Sequence, residues 1–182
     1  AVWCKRDCFI KAVKMYGEVS PHSLFKSRGL RCAICFPSDH TELLRITDKR
    51  TLLEVSNKAR ERNIWSALEA GVEIADASGV TIAADAVIGA GTVIHKGTII
   101  KPGSRIGTNC ILGPDTVIDH SVIGDGVTVN SSQIEHSEIG SGTTIGPMAH
   151  IRPNCKLGSH VKIGNFVELK NSTIGDRTSV AH

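Results

Sequence analysis

The feature that most constrains this chain is an aliphatic residue that returns about every six positions across its second half. The series runs Ile82, Ile88, Ile94, Ile100, Ile106, Leu112, Ile118, Ile123, Val129, Ile134, Ile139, Ile145, Ile151, Leu157, Ile163, Leu169, Ile174 and Val180. Of its 17 steps, 13 are six residues long and four are five. A helix repeats near 3.6 residues and a strand near 2, so neither demands this beat. A short strand plus a turn, repeated on the flat faces of a coil, does. Such a rung cannot bury its apolar side alone, and only stacking on its neighbours gives it a core. Three rungs per coil would make roughly five and a half coils.

Glycine commonly follows the aliphatic residue, as at Gly89, Gly107, Gly113, Gly124, Gly140, Gly146, Gly158, Gly164 and Gly175. The expected reason is a sharp turn or a positive φ. Four residues past the aliphatic position a small or β-branched residue recurs: Thr92, Thr98, Ser104, Cys110, Thr116, Thr143, Ala149, Cys155, Val161, Val167, Thr173 and Thr178. These would fill a narrow interior beside the large aliphatics. Only 4% of residues are aromatic, so no core of large rings is available.

Before the repeat, Asp48 to Gly71 reads as one helix. Asp48 or Thr47 can cap its first turn and Gly71 can stop it. Leu52, Val55, Ala59, Ile64, Ala67 and Leu68 lie near helical spacing, and Lys58, Arg60, Glu61 and Arg62 make a solvated face. From Val72 to Val80 the chain passes into the first rungs. Residues 1–43 show no clear period and no phosphate-binding loop, and stay unassigned. The chain therefore divides into 1–43, a linker helix over 44–71 and a β-solenoid over 72–182.

The net charge of +3 and the absence of a long basic run in the second half give no case for nucleic acid. No apolar stretch reaches the roughly 18 residues of a membrane span. The first residues lack the apolar core of a signal peptide. The expectation is a cytoplasmic protein without membrane or nucleic-acid partners. Cys4, Cys8, Cys32 and Cys35 could supply four thiolates to zinc, but their loose spacing favours reduced thiols, and no metal site is assigned. Cys110 and Cys155 fall at small-residue positions of the repeat. His95, His120, His136, His150 and His160 read as exposed loop residues, with no His-x4-His pair for an interfacial zinc.

The richest block is residues 145–182. It contains Gly146-Pro147, Ile151-Arg152-Pro153, Gly164-Asn165-Phe166-Val167-Glu168, Lys170 and His182. These residues, and the stretch from Ile46 to Ile74, closely resemble the bifunctional glucosamine-1-phosphate N-acetyltransferase and N-acetylglucosamine-1-phosphate uridylyltransferase family. The resemblance covers about residues 44–182. It implies a left-handed parallel β-helix, mainly β, and acetyl transfer from acetyl-CoA to the amine of glucosamine-1-phosphate on the way to UDP-N-acetylglucosamine and cell-wall precursors. Handedness comes from the resemblance, since ordinary parallel crossovers are right-handed.

The resemblance also assigns roles. Arg152 and Lys170 match basic residues that hold the sugar phosphate. A planar fork and a compact charge both suit phosphate oxygens. His182 matches the catalytic base, which takes a proton as the amine attacks the thioester directly. Glu168 could orient that imidazole, or be an ordinary surface carboxylate. Asn165 could line the sugar site, or simply make a turn. The family is trimeric, with sites between neighbouring β-helices. Its further coils, past the position of His182, complete the acetyl-CoA site, so this chain alone is expected to be inactive.

Where the family's uridylyltransferase half carries a Mg²⁺-binding Asn before the linker helix, Thr47 stands here. That half's Gly-rich nucleotide loop is absent, so Mg²⁺ is expected only for the missing domain. Two alternatives stay open: another hexapeptide-repeat acyltransferase, and a non-catalytic β-helical scaffold.

Overall fold

The computed structural model describes residues 44–182. The cysteine quartet read as a possible zinc ligand set lies outside the described residues. One helix, Lys49–Glu69, precedes 19 strands of two or three residues each. These stack into three parallel sheets of seven, six and six strands, with every strand hydrogen-bonded to the strand three places away in sequence. Residues 73–180 thus form a parallel β-solenoid of about six three-sided coils, each face a ladder of single rungs, consistent with the left-handed β-helix expected.

Register explains the periodicity. On the first face Ile74, Ile94, Leu112, Val129, Ile145, Ile163 and Val180 stand in one column. On the second, Ile82, Ile100, Ile118, Ile134, Ile151 and Leu169 do so. On the third, the column is Ile88, Ile106, Ile123, Ile139, Leu157 and Ile174. Ile94, Leu112, Ile118, Val129, Ile134, Ile145 and Ile151 are wholly buried. Three aliphatic columns meeting on the axis are the core.

The small residues between them are often hydroxylic, and the interior uses the hydroxyls. The buried amide of Cys110 donates to Thr92 Oγ1, and that of Val161 to Thr143 Oγ1, at 3.1 Å each. Thr92 and Thr143 in turn donate to the carbonyls of Gly107 and Gly158, at 2.9 and 3.0 Å. No buried side-chain polar atom among the described residues lacks a partner. An unpaired buried group would cost about 1–3 kcal/mol, so a hydroxyl here is a structural part of the coil.

The five-residue rungs share one solution. In each, the interior position is a serine: Ser121, Ser132, Ser137 and Ser172. Each hydroxyl donates two residues back, to the carbonyls of Asp119, Asn130, Glu135 and Lys170, at 2.6–2.8 Å. The residue before each serine takes a positive φ of 42° to 49°. A local side-chain bond thus tightens the corner by one residue. This corrects the expectation for Thr173, which is an exposed strand residue, while the part-buried Ser172 takes the corner position. Thr178 is exposed as well.

The glycines after the aliphatic residues also have a different cause from the one expected. Of that set only Gly113 and Gly146 have positive φ; the left-handed residues sit two positions further on in six-residue rungs, as at Gly91 or Asn109. The others, Gly175 apart, are there because coils touch. A Cβ on Gly89 would lie 2.6 Å from the backbone of Gly107, and one on Gly124 2.7 Å from that of Ser141.

The helix begins as read. Asp48 Oδ1 accepts from the amide of Thr51 at 2.8 Å, and Thr51 Oγ1 accepts from the amide of Asp48 at 3.0 Å. The Thr51 amide, and the Thr51 hydroxyl that donates to the same carboxylate oxygen, hold the Asp48 carboxyl below its usual range. Its apolar face is narrower than the spacing implies: Ile64 and Ala67 are buried, whereas Leu52 and Leu68 are exposed. The charged stretch is not uniformly solvated either. Arg60 Nη1 donates to the carbonyl of Val80 at 3.1 Å, and Asn63 Nδ2 to that of Ile82 at 2.9 Å. The first coil has no coil beneath it, and these side chains occupy carbonyls at its open edge.

Candidate active site

The residues assigned to a site fall on two neighbouring corners and the face between them. Arg152 and Lys170 each follow the aliphatic residue of a second-face rung. Because Ile151 pairs with Leu169, they stand one above the other at the same corner. The amide of Arg152 donates to the carbonyl of Leu169 at 2.8 Å, which fixes that stacking. Two cations one coil apart are a fit for an anion with several oxygens.

Asn165 and His182 share the preceding corner. Ile163 pairs with Val180, so the residues two further on occupy equivalent positions in successive coils. Gly164 and Ala181 meet so closely there that no side chain could stand on Gly164. Asn165 and His182 are both exposed. Phe166, between the corner and the face, has a φ of 57° and is 76% exposed, beside the exposed Met148 of the coil below.

Glu168 lies on the second face, paired in register with His150. Among the described residues its carboxylate bonds to Arg152 Nη1 at 2.8 Å, and no bond joins it to His182. The Arg152 hydrogen bond and charge hold the Glu168 carboxyl below the usual range. The side chain that Glu168 orients here is the guanidinium.

His150 was read as a loop residue, but it is a strand residue, part-buried, with Nε2 3.3 Å from Glu135 Oε1. His95 is likewise part-buried at a corner, whereas His120, His136 and His160 are exposed turn residues as expected. Glu135, His150, Arg152, Glu168 and Lys170 thus form one polar stripe down the second face and its exit corner. Members at equivalent positions in successive coils are 17 or 18 residues apart. The stripe could be found in the sequence only by laying out the coils with their five-residue steps.

No helix among the described residues is long and apolar enough to cross a membrane.

Comparison with known proteins agrees with this architecture. The family model "Bacterial transferase hexapeptide (six repeats)" matches residues 85–120 and 136–171. Of the five-residue steps, the one from Val129 to Ile134 lies wholly in the stretch between those matches. The chain is 41% identical over 145 residues to the bifunctional protein GlmU of Synechococcus elongatus, covering 80% of this chain and 32% of that protein. It is 34% identical over 169 residues to GlmU of Alkaliphilus metalliredigens, covering 93% of this chain and 37% of that one. The second alignment is long enough to run into residues 1–43. The chain spans about a third of the length of these curated relatives.

Among solved structures, the acetyltransferase domain of PglB from Neisseria gonorrhoeae, in complex with acetyl coenzyme A, superposes with a TM-score of 0.57. It is 22% identical, and the match covers 69% of this chain and 63% of that one. That likeness is one of fold. By its repeat, its coil and its sequence, this chain carries bacterial transferase hexapeptide repeats on a parallel β-helix and is similar to one segment of GlmU.

Proposed function

We propose that this β-helix is the acetyltransferase part of a GlmU-like enzyme, moving an acetyl group from acetyl-CoA to the amine of glucosamine-1-phosphate. The observation that carries the reading is the stacking of Arg152 beneath Lys170, with Asn165 beneath His182 on the adjoining corner. One corner offers charge for a phosphate; the other offers an amide and an imidazole.

In this reading the sugar phosphate lies against Arg152 and Lys170. Glu168 is a positioning residue that holds the Arg152 fork in place. Asn165 lines the sugar. The amine lone pair attacks the thioester carbonyl carbon, and the imidazole of His182 takes the proton released from nitrogen. The tetrahedral intermediate collapses with loss of the CoA sulfur, which leaves as the thiol after receiving that proton. The acetyl group ends on nitrogen as an amide. No covalent enzyme intermediate is involved, and no metal is needed for the transfer. Both sugar and acetyl-CoA bind between β-helices of a trimer, and coils beyond His182 contribute to the acetyl-CoA site. Uridylylation with Mg²⁺ belongs to a domain outside this chain.

The test is release of CoA thiol from acetyl-CoA in the presence of glucosamine-1-phosphate. It is run on the 182-residue chain and on the full product of its gene, each with and without His182→Ala. Turnover in the full product, lost about 10²–10⁴-fold on removing the imidazole, supports the reading. A full product without turnover on this sugar overturns it, in favour of another acceptor or a scaffold.

A further inference from the structure

We infer that Asp119, His120 and His136 form a binding site for one divalent transition-metal ion, built across two successive coils at the corner that follows the second face. The site is independent of the acetyl-transfer reading. A donor atom from each of the three residues lies within 4.8 Å of the others. The imidazoles stack with centroids 4.9 Å apart and planes 15° from parallel.

Coil geometry places these rings. Ile118 pairs with Ile134 and Asp119 with Glu135, so the following residues, His120 and His136, are equivalent positions one coil apart. Neighbouring strands are about 4.8 Å apart, which is the observed ring separation. Both histidines sit in five-residue rungs with φ of 42°, so the same backbone conformation projects both side chains in the same direction. The base beneath them is braced: the amide of His136 donates to the carbonyl of Asp119 at 2.9 Å, and the amide of Ser137 donates to Ser121 Oγ at 3.2 Å.

Asp119 completes the arrangement. Its Oδ1 lies 2.6 Å from His120 Nδ1, and its Oδ2 accepts from Lys101 Nζ at 2.8 Å. A carboxylate on Nδ1 fixes the tautomer that leaves Nε2 with its lone pair, as in many metal centres. The ion is therefore held by His120 Nε2 and a nitrogen of His136, with Asp119 as the orienting carboxylate and water in the remaining positions. Two nitrogens bound at about 2.0–2.1 Å to one tetrahedral ion lie about 3.4 Å apart. The donors, now within 4.8 Å of one another, must close by up to about 1.4 Å, which side-chain rotation of exposed rings supplies. A groove of about 330 Å³ opens beside the pair, with Glu138, Asn154 and Lys156 on its walls, and gives the ion its route in. Imidazole donors select Zn²⁺, Ni²⁺, Co²⁺ or Cu²⁺ over Mg²⁺ or Ca²⁺.

The experiment is titration of the whole chain with Co²⁺, read by equilibrium dialysis and by visible absorption. The expected result is one ion with weak d–d bands. Its affinity should fall at least about tenfold in His120→Asn and in His136→Asn, and stay unchanged in His160→Asn. In the parent chain Co²⁺ should selectively broaden the ring proton resonances of His120 and His136, which tests the site without relying on a variant's folding. Binding that survives both substitutions, or that shows the intense near-ultraviolet band of thiolate ligation, overturns the assignment. So does broadening centred on His95, His150 or His182, or the absence of any stoichiometric ion.

Discussion

Adding one methyl group at Gly140 tests why the glycine column exists. A Cβ there would lie 2.5 Å from the carbonyl oxygen of Gly158 and 2.7 Å from the amide of Ser159 in the next coil. Ordinary contact begins near 3.4 Å, so the coils must part by about 1 Å, and backbone atoms cannot rotate away. Overpacking of this kind costs about 1–3 kcal/mol. The inter-coil bond from the Gly140 amide to Leu157 O, 2.8 Å long, would stretch with it. Its loss adds about 1 kcal/mol, giving about 3 kcal/mol for Gly140→Ala.

Gly126 is the internal comparison. Its φ is +66°, but an added Cβ would meet nothing within 4 Å. Gly126→Ala should cost only the left-handed penalty, about 1–2 kcal/mol. At Gly175 the nearest atom would be 3.9 Å away and φ lies outside the left-handed range. There alanine should be neutral or stabilising by up to about 1 kcal/mol. Urea midpoints by circular dichroism give the order. Because a repeat array can lose coils separately, amide exchange at the Gly140–Leu157 bond reports the local effect. If Gly126→Ala proves as costly as Gly140→Ala, backbone conformation and not coil contact selects these glycines.

Further expectations follow from single contacts. Ser137→Ala removes the acceptor for the buried Cys155 amide, 3.1 Å away, and should destabilise by about 1–3 kcal/mol in the same urea assay; a neutral result would dismiss the hydroxyl ladder as incidental. Glu168 is held below its usual pKa by Arg152. Its pairing therefore stabilises the fold above the unfolded carboxyl's pKa, and that contribution disappears as pH falls through the folded value. Carbon-detected titration should show a lowered Glu168 midpoint that rises in Arg152→Ala; an unchanged midpoint there would break the assignment of cause. Cys110 and Cys155 are buried, and burial pushes the Cys110 thiol up. Peptide mapping after alkylation of the native protein should find both unmodified until denaturant is added.

Local chemistry made part of this protein readable from sequence. The six-residue beat, the small interior residues and the Asp48 cap are short-range properties, and each maps directly onto a rung or a helix turn. The arrangement of the charged residues was less accessible. Arg152 and Lys170 were legible as members of a motif, but their stacking depends on the three rungs between them all being six residues long, which puts them 18 positions and one full coil apart. His120 and His136 looked like unrelated turn residues because 16 positions separate them, and only a coil with two five-residue rungs and one of six brings them into one column.

What the sequence determined by itself is that the second half must coil, because aliphatic residues at that spacing can be buried together in no other regular way. Only the tertiary structure decided which rungs lie above one another. That registry turned Glu168 toward Arg152, set Arg60 and Asn63 against the first coil's open carbonyls, and made the glycines a requirement of contact rather than of turning. Its physical cause is distributed: hydrogen bonds between coils set the spacing, and four serine corners set the offset, so no single residue announces the result.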